Sequence, residues 1–241
     1  MPANRKSGPV AEGGPVAEGG PVAERGPVAE REPVAESSAV EALRAADPVL
    51  RGVIDSLGSD GLEDFRSGLP SDSYATLIRA IAGQQLSNRA AVAIYNKLLG
   101  RYGGRPPSPT EILAEDPEEL RVAAGLSHAK VRYLRSLAEH VLDGSLELDR
   151  LDELSDDEVI AALIAVKGLG LWSAQMFLII HLRRPDVLPV GDLGIRKAVM
   201  TLYGLPALPG PAELTEIGEA WRPHRTLASL FLWRSLHATP I

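Results

Sequence analysis

The chain has 241 residues, 45% of them hydrophobic, a formal net charge of −7 and no cysteine. That length and composition allow one large domain or two modest lobes around a real core. The missing thiols exclude disulfides, a cysteine nucleophile, thiolate zinc sites and iron–sulfur clusters, and no apolar run reaches the length of a membrane span or a secretory signal.

Residues 1–36 repeat a Pro-Val-Ala-Glu unit with Pro9, Pro15, Pro21, Pro27 and Pro33 six residues apart. Such a segment has valine as its only large aliphatic and cannot bury a core, so 1–37 is expected to be a disordered tail or tether. From Ser38 onward the pattern is helical. A short helix is expected over Val40–Ala46, then Pro48 leads into Val49–Leu57. Ser73–Ala82 places Leu77, Ile78 and Ile81 on one face. After the turn Gly83-Gln84-Gln85-Leu86-Ser87, Ser87 can cap a helix that stops at Gly100. A Pro/Gly loop over 101–108 precedes a short helix, Thr110–Ala114. Asp116 and Pro117 open a helix ending at Gly125, and Ser127 caps a longer one closed by Gly144.

Ser155 and Glu158 form a capping box for the next helix, whose apolar face is Val159, Leu163, Ile164 and Val166. Gly168 and Gly170 interrupt it, since glycine accepts positive φ and close backbone approach cheaply, and Leu171–Leu182 resumes a helix. A helix, a two-glycine hairpin at about 165–175 and a second helix leave N–H groups facing outward, an arrangement that binds phosphate. Asp192–Tyr203, Pro211–Trp221 and His224–Leu236 complete an all-α chain of about ten helices. The negative net charge sits unevenly: Arg121, Lys130, Arg132 and Arg135 form one basic group, His181, Arg183, Arg184, Arg196 and Lys197 a second, and Arg222, His224 and Arg225 a third, readable either as solvated faces or as a groove for nucleic acid.

The stretch VKGLGLWSAQMF followed by LPVGDLGIRKAV resembles the helix-hairpin-helix (HhH-GPD) DNA glycosylases, and within them the 3-methyladenine DNA glycosylase II group, over roughly Ala42–Leu236. The resemblance implies a two-lobed helical fold without the N-terminal β domain that some members carry. It also implies an enzyme that flips an alkylated purine (3-methyladenine or 7-methylguanine) or the deaminated purine hypoxanthine out of duplex DNA and hydrolyses its glycosidic bond. The alternatives are a glycosylase for another damaged or mismatched base and a non-catalytic helix-hairpin-helix DNA-binding module. Members with a four-cysteine cluster are excluded by composition. The partner is double-stranded DNA, no membrane or obligate protein partner is expected, and a cytoplasmic, nucleoid-associated monomer is implied.

Excising a cationic purine calls for electron-rich faces for the base and one ionised carboxylate for the developing sugar cation. Asp192 is the expected catalytic carboxylate; it also reads as an ordinary N-cap, and the two roles are compatible. Trp172, Trp233, Met176 and Leu193 match the base pocket, although a tryptophan in an apolar C-terminal helix also reads as core, and Met176 and Leu193 make the pocket less aromatic. Trp221 reads as packing. Lyase members carry a lysine just after the hairpin; tryptophan stands there in this chain, so a glycosylase without strand cleavage is implied. Gln85, with Gln84 beside it, matches the wedge that fills the flipped-out gap, or is a polar inter-helix turn. Lys167, Gly168 and Gly170 are expected to hold DNA phosphate. No cofactor is expected beyond a monovalent cation that the backbone of Gly168 and Gly170 can hold in this family.

Overall fold

The computed structural model describes residues 33–58 and 70–238; side chains are described over 37–58 and 70–236. Among the described residues there are twelve α-helices and no strand. The expected disordered tail lies outside them except at its last residues, where α1 (Pro33–Ala46) starts inside the final repeat rather than at Val40. Then come α2 (Pro48–Leu57), α3 (Ser73–Gly83), α4 (Asn88–Arg101), α5 (Pro109–Ala114), α6 (Pro117–Ala124), α7 (His128–Leu142), α8 (Asp156–Ala165), α9 (Leu171–Met176), α10 (Leu193–Leu202), α11 (Pro211–Gly218) and α12 (Arg225–Ala238).

Capping chemistry sets most of these boundaries. Ser87, Ser127 and Ser155 accept backbone N–H groups at the starts of α4, α7 and α8, as the sequence implies. Ser108, the last residue of the expected loop, and Glu111 form a second capping box, at α5. Two expected helices change character. Pro211–Trp221 is α-helical to Gly218 and tightens to a 3-10 turn over Glu219–Trp221, and the other lies at the hairpin. Leu171–Leu182 is α-helical to Met176 and then widens to a π-helical turn over Phe177–His181, where Leu182 N–H reaches the Phe177 carbonyl at 3.0 Å. His181 sits at that turn between two hydroxyls, Ser73 Oγ at 2.9 Å from Nε2 and Thr76 Oγ1 at 3.1 Å from Nδ1, and its ring stacks on Phe177. Burial pushes it below its usual titration range, so His181 joins α3 to the hairpin's second helix and is not part of a basic surface.

Two groups of helices result. Helices α3 to α7 pack on one another as a central lobe, with α7 against α3, α5 and α6, and α8 packs against α9. Helices α1, α2, α10 and α12 form a lobe from the two ends of the chain, while α9 leaves α8 and leads toward it. A continuous core runs through both, with Trp221, Phe231, Leu43, Leu50, Leu77 and Ile78 fully buried. Ile164, expected on the buried face of α8, is instead half exposed, because the inward stripe is carried by Val159, Leu163 and Val166.

The terminal lobe closes on Asp47. This N-cap residue of α2 accepts from Val49 N and Leu50 N, from Trp221 Nε1 at 2.8 Å and from the Tyr203 hydroxyl, and is only 6% exposed. One carboxylate thereby ties α2 to the end of α10 and to the turn before α12. Burial opposes its charge, but the four donors outweigh burial and hold its pKa below the ordinary 3.8. Asp47→Ala orphans those donors and is expected to cost about 3 kcal/mol in chemical denaturation at neutral pH. Because the folded carboxyl titrates below the unfolded one, this stabilisation is complete above pH 3.8 and is lost as the pH falls through the lower folded value. The stability gap between wild type and Asp47→Ala therefore narrows in acid.

Candidate active site

Asp192 lies where the two lobes meet, at the N-cap of α10. Its Oδ1 accepts from Ile195 N at 2.9 Å, the capping bond that the sequence suggests. The same oxygen accepts from Trp233 Nε1 at 2.9 Å, and Oδ2 accepts from Trp172 Nε1 at 2.7 Å. Three elements far apart in the chain (α9, α10 and α12) thus converge on one carboxylate. The sequence reading assigns both tryptophans to the base pocket by their faces; their indole N–H groups, which no periodicity could orient, grip the acid. Together these N–H groups keep the carboxylate from swinging.

Space around the carboxylate is narrow. A methyl group added at Gly194 would lie 3.0 Å from Asp192 Oδ1 and 3.3 Å from Trp233 Cδ1, so glycine at this position is what lets Trp233 approach. Trp172 is 50% exposed and Leu193 51%, so both remain open beside the acid, whereas Met176 and Trp233 are half-buried. The residues expected from the sequence to line a base pocket thus lie on α9, α10 and α12, with Trp172 and Leu193 the more exposed of them.

Residues expected to face DNA are also brought together. Gln84 Nε2 donates to the Gly168 carbonyl at 2.7 Å, joining the turn after α3 to the hairpin. Gln85 next to it is exposed, with φ of 59° in the left-handed region. In the hairpin, Gly168 has φ of 94° and Tyr133 lies directly on it; a Cβ there would sit 2.1 Å from Tyr133 Cγ. Gly170 N-caps α9 and its carbonyl accepts from Ala174 N at 3.0 Å. Lys167 is exposed beside them. The two glycine carbonyls expected to hold a monovalent cation each already accept one hydrogen bond, so an ion there would have to share them.

The basic groups read from the sequence are largely consumed by the fold. Arg135 donates to the carbonyls of Ile112, Leu113 and Glu115 at the end of α5, and Arg184 donates to those of Leu151, Asp152 and Leu154. Arg222 and Arg225 pair with Asp186, and Arg121 pairs with Glu118. Arg132, Lys167 and Lys197 stay exposed. This is why sequence charge alone overstates the cationic surface: long side chains serve helix C-termini as readily as phosphates.

A two-lobed helical fold in which a glycine hairpin precedes a capped aspartate at the lobe junction is that of the helix-hairpin-helix DNA glycosylases. Residues 78–223 match the HhH-GPD superfamily base excision DNA repair protein family, and the chain belongs to it. It is similar to DNA-3-methyladenine glycosylase 1 of Schizosaccharomyces pombe, 38% identical over 172 residues that cover 70% of this chain and 75% of that protein. Among solved structures, the S. pombe 3-methyladenine DNA glycosylase in complex with abasic DNA superposes with a TM-score of 0.75 at 34% identity, covering 83% of this chain and 97% of that one. A DNA-3-methyladenine glycosidase from Bacillus halodurans superposes with a TM-score of 0.63 at 35% identity, over 78% of this chain and 89% of that one.

Gly168 is the backbone position on which the hairpin turns. Gly168→Ala forces both an unfavourable φ and a collision with Tyr133 and is expected to cost about 3 kcal/mol, read as a lowered urea midpoint.

Proposed function

We propose that the protein is a monofunctional glycosylase of base excision repair that releases alkylated purines, 3-methyladenine foremost, from duplex DNA. The observation that carries this reading is the Asp192 carboxylate held by the indole N–H groups of Trp172 and Trp233 at the junction of the lobes. Alkylation at N3 or N7 leaves the purine cationic, so its bond to C1′ is already weak. The base departs with the bonding electrons and becomes neutral; the sugar takes on the positive charge, and water supplies the hydroxyl at C1′. Asp192 stabilises that developing charge electrostatically and can take the proton from the water. Oδ1 already accepts two hydrogen bonds and Oδ2 one, which leaves Oδ2 the freer oxygen for either task.

The exposed face of Trp172 suits a flat cationic base, while its N–H keeps the carboxylate in place. Leu193 and Met176 supply apolar rather than aromatic walls, so the attraction for a cationic base falls chiefly to the exposed face of Trp172. Gln85 is read as the wedge and the Lys167–Gly170 hairpin as the phosphate grip. With tryptophan in the place where lyases carry lysine, no Schiff base forms and the abasic strand is left intact. The reaction as derived needs no cofactor; a monovalent cation at the hairpin carbonyls would act on DNA grip alone. We further propose a monomer that works on duplex DNA in the nucleoid; no helix among the described residues is long and apolar enough to cross a membrane.

The direct test is base release from methylated duplex DNA by wild type and Asp192→Asn, with and without alkali. Wild type should release 3-methyladenine, Asp192→Asn should be slower by at least about 100-fold, and strand breaks should appear only after alkali; breaks without alkali would overturn the monofunctional reading. Trp172→Phe and Trp233→Phe each retain an aromatic face but remove an N–H from the acid. Each is expected to lower the single-turnover rate about tenfold, whereas a purely stacking tryptophan would tolerate phenylalanine.

A further inference from the structure

Helix α7 contributes nothing to the carboxylate, yet one of its faces touches both DNA-directed loops. Lys130, Tyr133 and Ser136 lie three residues apart and so share a stripe along the helix. Lys130 Nζ donates at 2.8 Å to the carbonyl of Ala82, in the last turn of α3 just ahead of Gln84 and Gln85. The Tyr133 ring covers Gly168, close enough that no side chain could stand there. Ser136 Oγ accepts from Lys167 N at 3.2 Å. Gln84 closes the circuit through its bond to the Gly168 carbonyl.

Each contact falls where a short loop needs outside support. Lys130 is partly buried, and burial pushes its ammonium below the usual range, but it sits at the C-terminal end of α3, where the helix dipole favours a cation. Directly beyond that end, Gln85 holds a left-handed conformation that a side-chain-bearing residue keeps only when its surroundings impose it. The hairpin likewise turns through a residue of positive φ that is pinned by a ring from α7.

We propose that Lys130, Tyr133 and Ser136 are positioning residues for nucleotide flipping, holding the Gln85 loop at a fixed spacing from the hairpin so that the wedge enters the duplex in register with the base delivered to Asp192. The inference rests on the glycosylase reading and on Gln85 as the wedge. A misplaced wedge costs most when the lesion is held in the stack by a partner base, and little when that partner is missing, because the unpaired nucleotide leaves the helix readily.

The experiment compares wild type, Lys130→Met, Tyr133→Leu, Tyr133→Phe and Gln85→Ala on two duplexes carrying the same alkylated purine, one with its normal partner base and one with an abasic site opposite. On the paired duplex, Lys130→Met and Tyr133→Leu should lower kcat about tenfold with KM nearly unchanged. On the duplex without a partner base they should recover to near the wild-type rate, as Gln85→Ala should. Tyr133→Phe keeps the ring and should match wild type on both. An equal loss on both duplexes would overturn the proposal, since a merely weakened fold does not distinguish them. Hydrogen exchange on the DNA-free proteins gives a readout independent of activity: Lys130→Met should speed exchange at 83–87 and 167–170 together. Faster exchange at 83–87 alone would overturn the coupling. Wild type that releases no base from either duplex would instead refute the glycosylase reading, and the exchange result would still decide whether α7 couples the loops.

Discussion

An acid that must meet a sugar cation needs to stay charged, stay still and stay reachable, and these demands conflict. Burial immobilises a carboxylate but disfavours its charge; exposure keeps the charge but frees the side chain. At Asp192 the side chain is held in place by hydrogen bonds rather than by depth. A backbone N–H and two indoles restrain both oxygens while the residue remains half-buried. The arrangement depends on the whole architecture, because the donors come from α9, α10 and α12, and the last two must be brought beside the first by the terminal lobe.

Asp47 shows the same chemistry put to a different use. It too is an N-cap aspartate with an indole donor, but it is sealed, and all its acceptor capacity serves helix ends and neighbouring side chains. The two aspartates are linked through structure: Asp47 anchors Tyr203 just past the last turn of α10, and Asp192 caps the first. Helix α10 is thus held at both ends by carboxylates, one sealed and one half-buried. Residue type and local position do not separate them; burial does.

Much of this was legible in the residues. Serine caps, the Ser155–Glu158 box and glycine stops place most helices, because those signals act within one turn and need no tertiary partner. Asp192, Trp172 and Trp233 are singled out through the family resemblance, and the structure brings the three together. What stays hidden is direction and distance. Nothing in the sequence says that the indole edges face the acid, that Ile164 turns outward, or that Arg135 and Arg184 spend their charge on carbonyl groups. The π-helical turn is invisible because its sequence keeps an apolar helical rhythm, and it takes His181 held between Ser73 and Thr76 to accommodate the extra residue. Asp47 was readable in principle, as an aspartate directly before a helix-opening proline, yet its two long-range partners were not.

The distribution of tryptophan has an optical consequence. Of the three in the chain, Trp172 and Trp233 donate to Asp192, and Trp221 is fully buried in the terminal lobe with its N–H on Asp47. Indole emission responds to hydrogen bonding and to solvent contact. Trp221 therefore provides a constant background while the other two signal what happens at the acid, and an unlabelled sample can follow base entry and product departure through its own fluorescence.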